Sequence, residues 1–511
     1  MKKLVLASLA TTLLFSCNQS QFDETDHVVL KSGNGKALGQ NDIFFTYHSK
    51  TLEYGEGAAE ISAYDPASMQ LFVVNNAADS KIDVFDLSPA GTLSYKTSIA
   101  VSGGGVNSVA VKNGMLAAAL EADVKTDQGS VAIYDAATLT LISEIGVGAL
   151  PDMVTFTPDG NYILSANEGE PNDDYDVDPE GTVSIIEVSS LTATTLGFSG
   201  FASQAGELME KGLRIFGPNA SFAQDIEPEY ITVSEDSKTA WVSLQENNTL
   251  AKIDIETQTI TDILPLGFKD YGLPQNPIDP SDENDEYTPG NWPAYGIYMP
   301  DAIAVLTDNA IPYVFTANEG DSRDYPGFSE EDRVKDIVLD ATVFPNYEYL
   351  QEKINLGRLK ITTTLGNLDD DEEYEALYSY GARSFSVWDG NSGDQVFDSR
   401  DELDVQAYLN DNYEDSRSDD KSTEPEGVVL GTIGNIKLLF VGMERVDAVA
   451  VYDVTNPRNP KYLQWLKTGD APEGLAFISA EESPTGTNLL LVSSEDDGVV
   501  TIFTTGSIET L

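Results

Sequence analysis

Alternating apolar and polar positions recur along the chain in short runs, separated by Gly, Asn, Asp or Pro. Runs of this length with a period of two predict β-strands, and the separating residues predict tight turns. Seven runs are strongly apolar and resemble one another: LFVVNN (71–76), MLAAALE (115–121), YILSANE (162–168), AWVSLQE (240–246), PYVFTANE (312–319), LLFVGME (438–444) and LLLVSSE (489–495). The pattern therefore indicates an all-β chain built from seven copies of one unit.

Each copy predicts four strands. A short motif with an acidic or amide residue opens the first strand, the apolar run is the second, and a third strand often ends in Asp, as in SVAIYD (130–135). Seven four-stranded units are the signature of a seven-bladed β-propeller. The seventh unit has no fourth strand after TIFTT (501–505), so we expect the strand-like segment 43–52 to supply it. This pairing closes the ring and removes exposed sheet edges.

The units are unevenly spaced, and the extra residues are predicted in two classes of loop, either between the second and third strands or between units. The expected insertions are about 169–181, 201–226, 267–299, 320–381 and 403–424. These two loop classes share one face of a propeller. Long loops on a rigid scaffold commonly carry function, so we expect this loop-rich face to be the working surface.

Acidic residues repeat at two positions of the unit, and both positions are expected on the loop-rich face. Six of the seven apolar runs end in Glu. The acids that open the first strands, expected around the central channel, are Glu60, Asp152, Glu229, Asp301, Glu426 and Glu473, with Asn107 in the seventh place. Crowded carboxylates need compensation by cations, arginines or backbone N–H groups. Capping of turns is the alternative interpretation of these acids.

Seven of the nine arginines lie between residues 323 and 445. This clustering favours ion pairing within the loop-rich face and allows a pocket for a carboxylate or phosphate. The candidate catalytic residues are Glu168, Glu319, Arg323, Arg383 and Arg417. The chain has two histidines and one cysteine, so Cys–His catalysis and zinc or copper sites built on His or Cys are close to excluded.

Two acidic loops have closely spaced oxygen ligands of the kind that suit Ca²⁺, the one cofactor that the sequence suggests. Their acids are Asp173, Asp174, Asp176 and Asp178 in the first loop, and Asp279, Asp282 and Asp285 in the second. Neither loop has the spacing of an EF-hand. A solvated acidic loop is therefore an equally good interpretation of each.

The N-terminus has the features of a lipoprotein signal peptide. Lys2 and Lys3 precede the apolar segment 4–15, which is too short to span a bilayer and ends just before Cys17, the only cysteine. We expect a signal peptide at 1–16, a tether at 17–42 lipidated on Cys17, and the propeller at 43–511; an ordinary signal peptide is the alternative. From these features we expect an exported protein that is anchored in the outer membrane and faces the periplasm or the exterior.

The chain carries 85 acidic and 29 basic residues, a net charge of −56. Phosphate backbones and anionic lipid surfaces would be repelled, so we expect no nucleic-acid partner, whereas cations and cationic partners are favoured. Solubility alone would also explain much of this charge. The expected partners are the membrane, through the lipid anchor, and a protein, glycan or small molecule that the sequence does not identify.

Several motifs resemble the choice-of-anchor I domain family: GEGAAEISAYDP (55–66), ANEGEP (166–171), ANEGDSRDY (317–325), LYSYGARSFSVWD (377–389), DSRSDDKSTEPEGV (415–428) and APEGLAF (471–477). The resemblance runs from about residue 43 to 505. It implies a propeller at the cell surface or in the periplasm. It implies no established reaction, although some relatives carry an alkaline-phosphatase label.

Two functional hypotheses follow. The first is a lipid-anchored binding or interaction module stabilised by Ca²⁺, which the lack of a nucleophile–base motif favours. The alternative is a metal-dependent phosphoesterase resembling alkaline phosphatase. In that enzyme, clustered carboxylates would hold Ca²⁺ ions that activate water, and Arg323, Arg383 or Arg417 would bind the phosphate.

Overall fold

The computed structural model describes residues 43–369 and 371–506. The expected signal peptide (1–16), the lipidation site Cys17 and the tether (17–42) lie outside the described residues. Within the described parts of the chain, no helix combines the length and the apolar character needed to cross a bilayer.

Antiparallel sheets of four strands form the scaffold, and each follows one repeat of the sequence. The first strand of the described residues, β1 (Phe45–Lys50), precedes them. Sheet 1 contains β2 (Ser62–Asp65), β3 (Gln70–Asn75), β4 (Lys81–Leu87) and β5 (Leu93–Ala100). Sheet 2 contains β6 (Val106–Lys112), β7 (Met115–Leu120), β8 (Gln128–Asp135) and β9 (Thr140–Ala149). Sheet 3 contains β10 (Pro151–Phe156), β11 (Tyr162–Asn167), β12 (Thr182–Glu187) and β13 (Thr192–Gly197).

Short helical segments and small strands appear in the insertions around sheet 4. A 3₁₀ helix at Ser199–Gln204 continues into α1 (Ala205–Met209) before this sheet begins. Sheet 4 contains β14 (Pro228–Val233), β15 (Thr239–Leu244), β16 (Thr249–Asp254) and β17 (Thr259–Pro265). The insertion that follows contains β18 (Phe268–Asp270) and β19 (Tyr295–Ile297).

Sheet 5 is interrupted by the longest insertion of the chain. Its first two strands are β20 (Ile303–Asp308) and β21 (Ile311–Asn318). The insertion contains β22 (Asp324–Tyr325), β23 (Phe328–Ser329), β24 (Glu331–Arg333), α2 (Tyr347–Leu350), a helical turn at Lys353–Gly357, β25 (Lys360–Thr362) and β26 (Tyr378–Ser379). The sheet is completed by β27 (Ser384–Asp389) and β28 (Gln395–Asp398).

The last two sheets include a pairing between the two ends of the described chain. The insertion before sheet 6 contains α3 (Glu402–Leu409) and a 3₁₀ turn at Asp415–Arg417. Sheet 6 contains β29 (Pro425–Ile433), β30 (Ile436–Met443), β31 (Ala448–Asp453) and β32 (Lys461–Lys467). A 3₁₀ turn at Glu444–Val446 connects β30 to β31. Sheet 7 contains β33 (Pro472–Ile478), β34 (Leu489–Ser494), β35 (Val499–Thr505) and β1. The predicted pairing of the N-terminal strand with the last strand is confirmed, because Phe45 lies opposite Thr505.

Burial decreases from the middle to the edge of each sheet, as the sequence pattern predicts. The second strands β3 and β34 are buried at every position, whereas the fourth strand β13, rich in Thr, is mostly exposed. Apolar second strands pack between neighbouring sheets, and polar fourth strands face water. The first strand of each sheet contacts that of the next, from β2 through β33, and β33 contacts β2.

Two insertions form a hydrophobic core of their own, which the sequence pattern did not predict. Strands β18 and β19 of the first insertion pair with β26 of the second. Buried apolar side chains from both segments pack together, including Tyr271, Val334, Leu356 and Ile361. We call this unit, formed by residues 267–299 and 320–381, the cap.

Candidate functional site

The first strands of all seven sheets surround a cavity of about 510 Å³. Eight acidic and two basic side chains line it: Asp152, Glu229, Asp301, Glu319, Asp321, Glu426, Glu444 and Glu473, with Lys421 and Arg445. The amides of Asn107 and Gln245 also face the cavity. The structure thus brings together five of the six acids expected at the central channel. Glu60 lies beside this group, where its carboxylate accepts a hydrogen bond from Asn76 (3.0 Å).

Local backbone irregularities place the acids at the cavity. In five first strands the pairing register shifts where the acidic or amide residue stands, at Asn107, Asp152, Glu229, Glu426 and Glu473. A bulge of this kind leaves one or two residues out of the ladder and redirects their side chains. Four of the five motifs in which Pro precedes the acid therefore mark a bulge that faces the cavity, and the motif at Pro300–Asp301 does not.

The acidic groups around the cavity hold protons more tightly than ordinary carboxyls do. Burial, followed by repulsion from Glu495, raises the pKa of Glu60 to about 8. Burial and the charges of Glu170 and Glu121 raise the pKa of Asp152 to about 7. Burial and neighbouring carboxylates hold the pKa well above its usual range at four other acids, which are Glu229, Asp301, Glu426 and Glu473. Near neutral pH, full ionisation of this group therefore requires compensating positive charge.

The positive side chains lie on one side of the cavity and already have partners. Lys421 Nζ lies 2.8 Å from Glu319 Oε1 and 3.4 Å from Glu424 Oε2. Burial alone would raise the pKa of Glu319, but the charge and hydrogen bond of Lys421 hold it below the usual value. Arg445 pairs with Glu444 at 2.8 Å. Apart from Asp321, which lies 3.7 Å from Lys421, the remaining carboxylates of the lining form no ion pair with a basic side chain of the described residues.

The described residues contain four groups of acids whose carboxylate oxygens lie within 4.8 Å of one another. The groups are Asp301–Glu319–Glu426, Glu319–Glu424–Glu444, Glu168–Glu227–Glu246 and the exposed Asp369–Asp371–Glu375. The first two groups share Glu319 and include residues of the cavity wall. Oxygen donors at this spacing suit hard cations such as Ca²⁺.

The two loops that the sequence indicated as Ca²⁺ sites do not assemble one in the described parts of the chain. None of the four groups includes Asp173, Asp174, Asp176, Asp178, Asp279, Asp282 or Asp285. Asp173, Asp174, Asp176 and Asp285 are exposed. Asp282 pairs with both nitrogens of the Arg358 fork (2.7 Å each), and Asp279 accepts backbone N–H bonds from Ser281 and Thr288. Apart from Asp178, whose buried Oδ1 has no hydrogen-bond donor among the described residues, these acids have protein partners or face water rather than one another.

Two candidate catalytic arginines are buried and hold the scaffold together. Arg323 is 1% exposed and binds the carboxylates of Asp225 (2.5 Å) and Glu227 (3.0 Å). Arg383, also 1% exposed, donates to three backbone carbonyls, those of Asp279, Ser418 and Asp420. Both guanidinium groups are buried and bound to protein groups, so their contacts give no support to a phosphate-binding role for Arg323 or Arg383.

Two of the five other clustered arginines join insertions by ion pairs, in line with the ion pairing that their clustering in the sequence suggested. Arg333 and Arg358, both in the cap, pair with Asp419 in the insertion before sheet 6. Arg417 pairs with Glu424 in that same insertion. Of the remaining catalytic candidates, Glu319 lines the cavity, and Glu168 lies in the buried group with Glu227 and Glu246.

The sequence did not indicate four residues that shape the site: Lys421, Glu424, Asp225 and Glu227. Lys421 had a weak signal, because it is the only lysine in the acidic segment 401–424, directly before a Pro–acid motif. Asp225 and Glu227 immediately precede another Pro–acid motif, at Pro228. Positions just upstream of the motif lie outside the repeat, so comparison among repeats could not reveal them.

Comparison with known proteins finds similarities that include the following two. Gigasin-3a of Magallana gigas is 28% identical over 188 residues, which is 30% of this chain and 66% of that protein, slightly under two thirds of its length. A hydrazine synthase chain of Kuenenia stuttgartiensis superposes with a TM-score of 0.48 at 12% identity, covering 89% of this chain and 98% of that one.

The family comparison covers much more of the chain. The model of the choice-of-anchor I domain matches residues 60–457, which include the first strands of sheets 1 to 6 and most of the cavity wall. The chain therefore belongs to the choice-of-anchor I domain family, whose domain indicates a surface or exported protein.

Proposed function

We propose that this protein is an exported, lipid-anchored binding module whose cavity takes an organic ligand with two or more amino or guanidinium groups. The scaffold in this proposal is a closed seven-bladed propeller. Seven four-stranded sheets, the cycle of contacts among their first strands and the β1–β35 pairing support it. Diacylation of Cys17 would anchor the module in the outer membrane.

The proposed ligand class rests on the charge and size of the cavity. Eight acids and two bases line about 510 Å³. That volume falls in the range of sites for small organic molecules, roughly 300–1,000 Å³, and greatly exceeds the space of one metal ion. A ligand with several separated positive groups would neutralise carboxylates from more than one sheet, which a single small cation cannot do.

One observation carries the proposal: Glu229 and Glu426 line the cavity and each has a buried carboxylate oxygen, Oε2, without a donor among the described residues. Buried acceptors without partners are costly, so these oxygens favour a ligand that brings N–H donors. The phosphoesterase alternative has no comparable support, because Arg323 and Arg383 are committed to protein partners.

Calorimetric titration of the purified full-length protein tests the proposal, with spermidine and a lysine-rich peptide as two sources of the same chemistry. We expect binding at pH 8 that weakens at least tenfold in Glu426→Gln and in Glu473→Gln, since a hydrogen bond to a charged group contributes about 1.5–3 kcal/mol. Glu256→Gln, an exposed acid in the β16–β17 turn, is the matched control. Equal binding by all variants would mean attraction to the overall charge and would reject the cavity as the site. Peptide binding without spermidine binding would assign the ligand to a protein partner.

A further inference from the structure

Three buried glutamates from two neighbouring sheets meet at a point outside the cavity lining. Glu168 follows β11, Glu227 precedes β14 and Glu246 follows β15. Their exposed fractions are 9%, 1% and 5%. One carboxylate oxygen of each lies within 4.8 Å of one oxygen of each of the others. None of the three belongs to the lining of the central cavity.

Two of these glutamates have buried oxygens without a hydrogen-bond donor among the described residues, Glu227 Oε1 and Glu246 Oε2. Arg323 is bound to the other oxygen of Glu227 (3.0 Å). A carboxylate oxygen that is removed from water and receives no donor loses its solvation without replacement. These oxygens therefore point to a bound cation that the protein itself does not provide.

The surrounding charges do not balance the three glutamates. Arg323 also binds Asp225, and Arg214, whose side chain is 1% exposed, pairs with Glu330. Among the described residues, Arg214 contacts this group through a hydrogen bond to the backbone carbonyl of Glu246, at 3.0 Å. The two guanidinium groups thus face five buried carboxylates, which leaves three negative charges in excess when all are ionised. A divalent cation would remove most of that excess.

We propose that Glu168, Glu227 and Glu246 bind one Ca²⁺ ion. The three side chains offer carboxylate oxygens, which suit a hard cation and disfavour metals that prefer imidazole or thiolate. Ca²⁺ binds oxygen at about 2.3–2.6 Å, so two ligands on opposite sides of the ion are roughly 4.6–5.2 Å apart. Oxygens that all lie within 4.8 Å of one another fit around such an ion.

The ion would join two sheets and one insertion. Glu168 starts the connection from β11 to β12 in sheet 3, and Glu246 lies in the turn from β15 to β16 in sheet 4. Glu227 ends the insertion that contains α1, where its backbone N–H donates to Asn247 Oδ1 (3.0 Å). Binding would fix this insertion against both sheets, so the ion's role is to stabilise the loop-rich face. The proposal does not depend on the organic ligand of the cavity.

The test compares Ca²⁺ binding and thermal unfolding of the full-length protein, measured by calorimetry in 0.15 M salt with Ca²⁺ or with chelator. We expect one specific Ca²⁺ per chain and a higher melting temperature with the ion. Glu246→Gln, and Glu168→Gln as a second variant, should each weaken binding at least tenfold, since even outer-shell changes at metal sites cost about 10–100-fold. In chelator both variants should melt above the wild type, because one repelling charge is gone.

Asp301→Asn is the control for location, because Asp301 belongs to an acidic group of the cavity wall. This variant should keep the specific Ca²⁺ site and its stabilisation. Three results would each overturn the proposal: a wild type whose melting is the same in Ca²⁺ and chelator, wild-type Ca²⁺ binding in both glutamine variants, or loss of the site in Asp301→Asn only. The last result would move the ion into the cavity. Polyamine binding is also measured in Glu246→Gln. Polyamine binding without a specific Ca²⁺ site would reject the Ca²⁺ proposal and leave the proposed function intact.

Discussion

Lys421 Nζ lies 2.8 Å from Glu319 Oε1 and bridges the insertion before sheet 6 to the end of β21 in sheet 5. Both side chains are 13% exposed. Gln245 donates a second hydrogen bond to Glu319 at 2.9 Å. In the described part of the cavity lining, Lys421 is the only lysine that contacts a carboxylate. It pairs closely with Glu319 and approaches Asp321 at a longer distance.

Removal of Lys421 should destabilise the protein, because Glu319 and Glu424 would lose their shared positive partner. Breaking one partner of a buried ion pair typically costs about 3–5 kcal/mol. We therefore expect Lys421→Met to lower the free energy of unfolding by several kcal/mol in urea titrations at pH 7. The double variant Lys421→Met with Glu319→Gln should recover part of the loss. Equal stability of Lys421→Met and the wild type would show that the pair is solvated.

The ligand-free protein should become less stable as pH rises from 5 to 8. Burial raises the pKa of Glu60 to about 8 and that of Asp152 and Glu444 to about 7, with neighbouring charges contributing. In this window the folded state binds more protons than the unfolded state, so the free energy of unfolding falls with pH. Each such group contributes a slope of up to about 1.4 kcal/mol per pH unit.

Urea titrations at constant ionic strength measure this slope directly. Glu60→Gln should flatten it between pH 5 and 8 and should raise stability at pH 8, whereas Glu256→Gln should leave it unchanged. Stability that increases across the same window in the wild type would mean that the acids are already compensated by ions or by water.

The cap should unfold locally without the sheets. Its core is formed by the two insertions alone, and Ile361 is fully buried within it. Ile361→Ala removes buried methyl and methylene groups at a typical cost of about 2–5 kcal/mol. Amide hydrogen exchange should therefore accelerate in 267–299 and 334–377 and stay slow in sheet 2. Uniform acceleration in both regions would show that the cap and the scaffold unfold together.

Phe45 should be a major determinant of stability although it belongs to an outer strand. It is 1% exposed, packs edge-on against Phe440 at 5.2 Å, and exchanges two backbone hydrogen bonds with the Gln464 side chain. We expect Phe45→Ala to cost about 3–5 kcal/mol. Tyr47→Ala, 61% exposed on the same strand, should cost much less. Similar losses in the two variants would contradict the packing described for β1.

The repeat allowed most of the scaffold to be predicted from the sequence. Alternation and turn residues located the strands, and the incomplete seventh unit indicated that β1 pairs with β35. The acids at the bulges could also be placed, because one motif recurs in nearly every unit. These features depend on short-range patterns that the chain repeats, so each copy supports the interpretation of the others.

The parts that could not be predicted depend on contacts between distant, non-repeated segments. Tyr271 and Ile361 pack together in the cap although 90 residues separate them, and nothing periodic connects them. The contacts made by the acids of the two predicted Ca²⁺ loops were unpredictable for the same reason. Local spacing could not show that Asp282 would pair with Arg358, or that Glu168 and Glu246 would meet Glu227.

The pairing of β1 with β35 has a consequence for the order of folding during export. Phe45 and Thr505 are opposite each other, so sheet 7 requires both ends of the described chain at once. A polypeptide that emerges from a translocation channel N-terminus first must keep β1 without its partner until the last strand has passed. Such distant pairings make folding slow and leave an unpaired strand open to aggregation. The first of the described strands is thus among the last to find its place, and chaperones that shield it would raise the yield of folded protein.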